Sequence, residues 1–283
     1  MGMSRYDELN EKYANYLETG RAEEAYNELL ELERQGDGAA VAVLALFYEF
    51  GIVCEKNVPK AIFKYTKALE CGCHEAAWEL VRRYYYGVSV DDGIDEDKDK
   101  GLEIMKKGAA MGNASCTGVL AEHYALEEED YPKTFEYALK AAKMGDSVGM
   151  YWAGICYDDG LGVSPDPGAA CHWYREYLNY YPDNDKIMLR LAICLANPFD
   201  ETRRPNGAML NEAFYYASKA VEKGNVNAHV IVAWFYEQGE IVELDYDLAY
   251  KYLKIAADNG HEYAQRHLKA YRKNLFGNYY LPK

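Results

Sequence analysis

The sequence predicts an all-α solenoid built from helix pairs, and three observations carry that reading. A glycine recurs about every 36 residues. Two small residues, seven apart, precede each glycine, and a leucine and a tyrosine, four apart, follow it. The anchors are Gly36, Gly72, Gly112, Gly145, Gly224 and Gly260, with Tyr181 standing in once where Pro182 follows.

Ahead of each anchor lies a helix, here helix B. Its first small position holds Ala25, Ala61, Gly101, Thr134, Ala170, Ala213 and Ala249. The second holds Ala68, Gly108, Ala141, Ala220 and Ala256, with Leu32 and Tyr177 as exceptions. Residues seven apart share one helical face, and small ones let a neighbouring helix come close. Four residues upstream stand Asn57, Asp97, Asp130, Asp166 and Asp245, side chains suited to capping the first amides of a helix. The anchor glycine ends helix B by taking a left-handed conformation. Behind it comes helix A, with Leu44, Leu80, Leu120, Leu189, Val232 and Leu268, and Ala153 in the remaining repeat. One turn further lie Tyr48, Tyr84, Tyr124, Tyr157 and Tyr236, with Ile193 once. Gly51, Gly87, Gly160 and Gly239 stop helix A.

The run Tyr157-Asp158-Asp159-Gly160-Leu161-Gly162-Val163, followed by Asp166, Ala170 and Trp173-Tyr174, resembles the Sel1-like repeat signature. Weaker copies run from Tyr48 to Val53 with Asn57 and Ala61, and from Tyr236 to Val242 with Asp245 and Ala249. Another runs from Tyr84 to Val90, leading to Asp97 and Gly101. Sel1-like repeats are relatives of tetratricopeptide repeats, so the resemblance implies a right-handed α-α superhelix. It divides the chain into a degenerate first helix pair at 1–35, six repeats at 36–260, and a closing helix with tail at 261–283. Two repeats depart from the pattern. The third replaces its glycine turn with Leu126-Glu127-Glu128-Glu129-Asp130. The fifth lacks the tyrosine and capping glycine and carries the insertion 197–206, so it is expected to be the weak link of the array. That insertion reads equally as a binding-face loop or a tolerated one.

The chain has 283 residues, 49% hydrophobic and 27% charged, with a formal net charge of −15. That charge argues against nucleic acid, whose binding rewards the opposite sign, and favours basic partners or plain solubility. No apolar run approaches the ~18 residues of a membrane span. The first ten residues lack the basic-then-apolar order of a signal peptide, so the expected location is the cytoplasm. There the seven cysteines, Cys156 and Cys171 among them, are expected as free thiols.

No nucleophile elbow, phosphate loop or dinucleotide fingerprint occurs. His261-Glu262 has its next histidine at His267, too far along for two zinc ligands on one helical face. Cys71-Gly72-Cys73-His74 has too short a spacing between its cysteines for zinc. The acidic run Asp91–Asp99 puts Lys100 and Lys106 where a calcium loop needs glycine and glutamate. Neither a cofactor nor a metal is expected. Some secreted, cysteine-rich proteins of the resembled family are associated with β-lactam binding or hydrolysis, but their regular paired cysteines and any Ser-x-x-Lys are missing here.

What remains is binding. The tetratricopeptide analogy implies that positions three, six, ten and thirteen after each anchor line a concave face. The second repeat places Glu75, Trp78, Arg82 and Tyr85 there, the third contributes Glu122, the fourth Val148, Tyr151, Ile155 and Asp158, and the sixth Asn227, Val230, Trp234 and Glu237. Trp78, Arg82, Tyr85, Glu122, Tyr151, Asp158, Trp234 and Glu237 are therefore the expected partner-binding residues. Large aromatics and arginine supply most binding energy at interfaces, and the carboxylates would steer a basic peptide. The expected function is an interaction scaffold for a protein or peptide partner. The alternative is an enzyme, such as a β-lactamase-like hydrolase, whose site no motif reveals.

Overall fold

Every helix-B start foreseen from the caps is present. The structure, a computed structural model, describes residues 3–87, 96–197 and 205–282. Asp91 to Asp95 of the acidic run, and most of the insertion between Asn197 and Asn206, lie outside the described residues. Asn57 accepts from the Lys60 amide at 2.9 Å, Asp97 from Lys100 at 3.0 Å, Asp130 from Lys133 at 3.1 Å, Asp166 from Gly168 at 2.9 Å and Asp245 from Leu248 at 2.8 Å. Each cap contributes about 1 kcal/mol. The same residue closes the preceding turn. The amides of Asn57, Asp97, Asp130, Asp166 and Asp245 donate to the carbonyls of Tyr48, Tyr84, Tyr124, Tyr157 and Tyr236, at 2.7–3.0 Å. In the third repeat, whose turn has no glycine, Glu129 takes the left-handed conformation instead, at φ 51°. Helix A has a cap of its own in the residue just after the anchor. Asp37, Asn113, Asp146 and Asn225 accept from amides three residues on.

The chain packs as two compact units, Met1–Gly149 and Met150–Lys283. The first contains α1 (Arg5–Glu18), α2 (Ala22–Arg34), α3 (Gly38–Phe50), α4 (Val58–Glu70), α5 (Glu75–Tyr84), α6 (Lys98–Ala110), α7 (Ala114–Leu126) and α8 (Tyr131–Lys143). From α3 onward, odd-numbered helices are A and even-numbered ones B. Each helix of this unit packs on its sequence neighbours, as in a solenoid. The small positions are where the helices meet: Ala25, Ala61, Ala68 and Thr134 have no exposed surface. Gly108 shows why no more than a hydrogen fits, since a Cβ there would stand 2.7 Å from both the Ala77 Cβ and the Cys116 Sγ. The core runs from Leu9 and Tyr13 through Leu44, Tyr65 and Leu80 to Leu120.

The boundary falls within α9 (Ser147–Asp159). The second unit continues with α10 (Pro167–Tyr180), α11 (Asp185–Ala196), α12 (Gly207–Glu222), α13 (Ala228–Gln238), α14 (Tyr246–Asp258) and the short α15 (Glu262–His267). Its core centres on Tyr174, Leu191, Leu195 and Phe235. A small hairpin follows, pairing Arg272–Lys273 with Tyr279–Tyr280, and the Tyr279 ring stacks on Tyr250 at 3.7 Å.

The fifth repeat corrects the sequence frame. Its helix-A cap is Asn184, so the phase counts from Asp183 rather than from Tyr181. Pro182 and Asp183 lengthen the turn by two residues, and the buried pair becomes Leu191 and Leu195 instead of Leu189 and Ile193, both only partly buried. Asn197, left-handed at φ 44°, ends α11 in place of the missing glycine.

Candidate functional site

In the first unit, α5 and α7 bring two of the expected residues, Tyr85 and Glu122, into one pocket, with Trp78 joined to it through Tyr86 and Arg82 standing apart. Helix α5 stops at Tyr84, and the chain turns so that Tyr85 and Tyr86 face α7. Between them lies a pocket of about 200 Å³ lined by Tyr85, Tyr86, Val119, Glu122, His123, Leu126 and Glu127. The Tyr85 hydroxyl bonds to His123 Nδ1 at 2.9 Å, and His123 Nε2 meets Glu128 at 3.1 Å. The Tyr85 and Tyr86 rings stand edge to face at 5.1 Å, and Tyr86 meets the Trp78 indole at 6.4 Å. Behind them, Gly101 of α6 approaches the Tyr85 backbone so closely that a Cβ would lie 2.7 Å from its nitrogen. That approach fixes the aromatic wall from the rear.

Glu122 is half-buried, and burial raises its carboxyl above the usual carboxylate range. Among the described residues it has neither a hydrogen bond nor an ion pair. Its charge is felt across the pocket. The Tyr86 hydroxyl is pushed well up, by burial first and by Glu122 second. The Tyr85 hydroxyl is raised by burial, then by Glu127 and Glu122. Arg82, by contrast, bonds to Glu79 on its own helix at 3.1 Å. Trp78 is partly buried against the core of this unit, so packing as well as any partner uses it.

The other expected residues lie in the second unit. Tyr151 packs edge-on to Trp152 and against Tyr177, and Trp234 packs on Phe235 at 4.9 Å. Ile155 and Val230, expected to line the groove, are buried. The two carboxylates are engaged within the unit. Asp158 accepts from the Tyr174 hydroxyl at 2.9 Å and from Arg190 at 2.8 Å. Glu237 accepts from the Tyr271 hydroxyl and meets His267 Nε2 at 2.9 Å, which raises the His267 pKa.

Both acids stand thirteen residues after an anchor, and so does Glu49 in the first unit. Glu49 accepts from the Tyr65 hydroxyl at 2.8 Å and pairs with Arg83, whose side chain is 5% exposed and whose guanidinium lies 5.2 Å from the Tyr65 ring centre. This position is a recurring brace, in which an acid on helix A binds a cation or tyrosine farther along the chain. Sequence reasoning missed Tyr65, Arg83, Tyr174, Arg190, His267 and Tyr271. A usable signal was present, because Glu49 and Tyr65 are as far apart in sequence as Asp158 and Tyr174.

Among the described residues no group of three or more His, Cys, Asp and Glu is placed to hold a metal. Cys73 points at Glu75, and its thiol is pushed up to about 12 by burial. His261 caps α15. Among the described residues, which include all seven cysteines, no disulfide forms.

The Sel1 repeat profile matches residues 38–73, 74–113, 120–146, 147–176, 188–225 and 226–261, well over half of the sequence. The chain belongs to the Sel1 repeat family. The late start of the fifth match, at 188, falls where the longer turn displaces the frame. A chitin synthase regulator of Saccharomyces cerevisiae is 26% identical over 188 residues, which are 65% of this chain but only 21% of that protein. Among solved structures, a protective antigen of uropathogenic Escherichia coli displaying an SLR fold aligns at TM-score 0.69 and 20% identity, covering 94% of this chain and 56% of that one. A Sel1 repeat protein from Oxalobacter formigenes aligns at TM-score 0.59 and 23% identity, covering 88% and 96%. These likenesses show an α-solenoid of Sel1 helix pairs. No described helix is long and apolar enough to cross a membrane.

Proposed function

We propose that this Sel1 repeat protein is a non-catalytic scaffold that binds a protein or peptide partner, and that the α5–α7 face of the first unit is one place where it does so. The observation that carries the reading is the row Trp78, Tyr86 and Tyr85 beside the open, uncompensated Glu122. Elsewhere the acids expected to face a partner are tied into the scaffold. Tyr86 remains 43% exposed, which leaves its ring accessible to a partner, although Phe50, Phe63 and Tyr215 are more exposed and it is the neighbouring Glu122 that sets this aromatic apart. The yeast relative, described as a regulator of another protein, fits a role exerted through contact rather than turnover. The net charge of −15 and the local carboxylates favour a basic partner. Tyr151 and Trp234 belong to the proposal as secondary contacts in the second unit. A reducing cytoplasm as the place of action belongs to the proposal, and it suits seven cysteines that form no disulfide among the described residues.

Affinity purification from the native host, followed by mass spectrometry, tests this reading. Partners should be enriched with the native chain and depleted at least severalfold with Trp78→Ala and Tyr86→Ala. Partners retained equally by both variants would place the contact surface elsewhere. Turnover by the purified protein, lost on altering one pocket residue, would replace the scaffold reading with the enzymatic one.

A further inference from the structure

Three of the repeat tyrosines carry a lysine on the ring. Lys60 lies 4.1 Å from the Tyr48 ring centre, Lys100 lies 4.0 Å from Tyr84, and Lys133 lies 4.7 Å from Tyr124. In each case the lysine stands three residues after the helix-B cap, over the face of the repeat tyrosine. Among the described residues no such cation covers Tyr85 or Tyr86. The acids behave in parallel. Glu49, Asp158 and Glu237 each have a cationic or phenolic partner, whereas Glu122 has none among the described residues. Aromatic faces without a cation and a half-buried carboxylate without a counter-ion therefore meet in one pocket.

We infer that this pocket takes the cationic end of a lysine or arginine side chain presented by a protein or peptide partner, with Glu122 as its counter-ion and Tyr85 and Tyr86 against its stem and charge. Size agrees. The pocket, at about 200 Å³, is smaller than the ~300–1,000 Å³ of drug-sized ligand sites and suits a single side chain. Its walls agree too, because the face of a tyrosine attracts a cation while its ring covers the methylenes. The hydrogen bond between Tyr85 and His123 and the seat of Tyr85 on Gly101 hold one ring in place before binding, so little order has to be created. A neutral or acidic side chain would leave Glu122 uncompensated, which makes the pocket selective. This rests on the scaffold reading and adds the chemistry of the residue recognised.

The test uses the full chain with labelled tyrosine rings, followed by NMR during titration with short capped peptides. One carries a central arginine, one a lysine, and their controls carry the uncharged isosteres citrulline and norleucine. The Tyr85 and Tyr86 resonances should shift saturably with both basic peptides, and at least tenfold more weakly with the controls. Glu122→Gln should weaken binding about tenfold or more. Tyr86→Leu should weaken it and Tyr86→Phe should preserve it, because the ring face and not the hydroxyl makes the contact. Circular dichroism confirms that each variant is folded. Equal shifts with citrulline, an unaffected Glu122→Gln, or no shift of these rings with either basic peptide at millimolar concentration would overturn the inference. The two readings fail separately. A partner lost with Trp78→Ala but kept with Glu122→Gln would leave the scaffold standing and remove the cation pocket.

Discussion

Asp158 in the second unit and Glu122 in the first are both helix-A acids expected to face a partner, and they are in opposite situations. Asp158 holds the Tyr174 hydroxyl and the Arg190 guanidinium, so its charge is consumed by the next elements of the chain. Glu122 sits half-buried among tyrosines, with no partner among the described residues. In a repeat array an acid on helix A is scaffold where its neighbours supply a counterpart, and available for a ligand where they do not. Burial of an acid is thus no guide to function until its partners are known.

The largest expected effect comes from breaking a brace. Glu49→Ala removes the principal counter-ion of the buried Arg83 guanidinium, leaving it the Glu79 carbonyl at 2.7 Å and the Glu79 carboxylate at 3.4 Å, and should cost about 3 kcal/mol in urea denaturation. A loss below ~0.5 kcal/mol would show that the braces are decorative and would dissolve the contrast with Glu122. Gly101→Ala comes next. The added methyl meets the Tyr85 backbone and should cost about 2 kcal/mol, while displacing Tyr85 and weakening any ligand of the pocket. Unchanged binding in a destabilised variant would mean that the rear support does not shape the site.

The third effect is a pH dependence in the Glu237 brace. Its bond to Glu237 raises the His267 pKa above 6.5. The resulting stability is fully present below the unfolded value and is lost as pH rises through the folded one. The stability difference between the native chain and His267→Gln should accordingly be largest near pH 5.5 and shrink through neutral pH. A difference that does not vary with pH would mean that His267 is not protonated in the brace. The smallest effect belongs to Glu122. Burial raises its carboxyl pKa above 4.5, so its ionised form opposes folding at neutral pH. Glu122→Gln should stabilise the chain slightly, by less than ~0.5 kcal/mol. The gain should fade as pH falls through the raised value and vanish below 4.5.

Much of the fold was legible because it is written locally. A cap and the amides it serves lie within three residues, and small positions seven apart share a face whatever the distant chain does. The fifth repeat was misread for an equally local reason: Pro182 and Asp183 lengthen a turn that no glycine marks, so Leu191 and Leu195 replaced the expected pair. The braces were hidden because their partners lie some thirty residues away, as with Arg190 and Asp158 or His267 and Glu237. Tyr86 and His123 escaped notice because α5 ends at Tyr84, and helical phase no longer says where the next side chains point. That Glu122 lacks a partner among the described residues could not be read from a pattern, since it depends on what its neighbours fail to supply.

The central claim is that Asp158 belongs to the scaffold and Glu122 to a binding site. Urea denaturation of Asp158→Asn and Glu122→Gln, measured side by side at neutral pH, tests it most directly. The account predicts that Asp158→Asn loses about 1–2 kcal/mol, because Tyr174 and Arg190 are left poorly matched, while Glu122→Gln is as stable as the native chain or slightly more so. Equal losses in the two variants would contradict it, since Glu122 would then be one more brace.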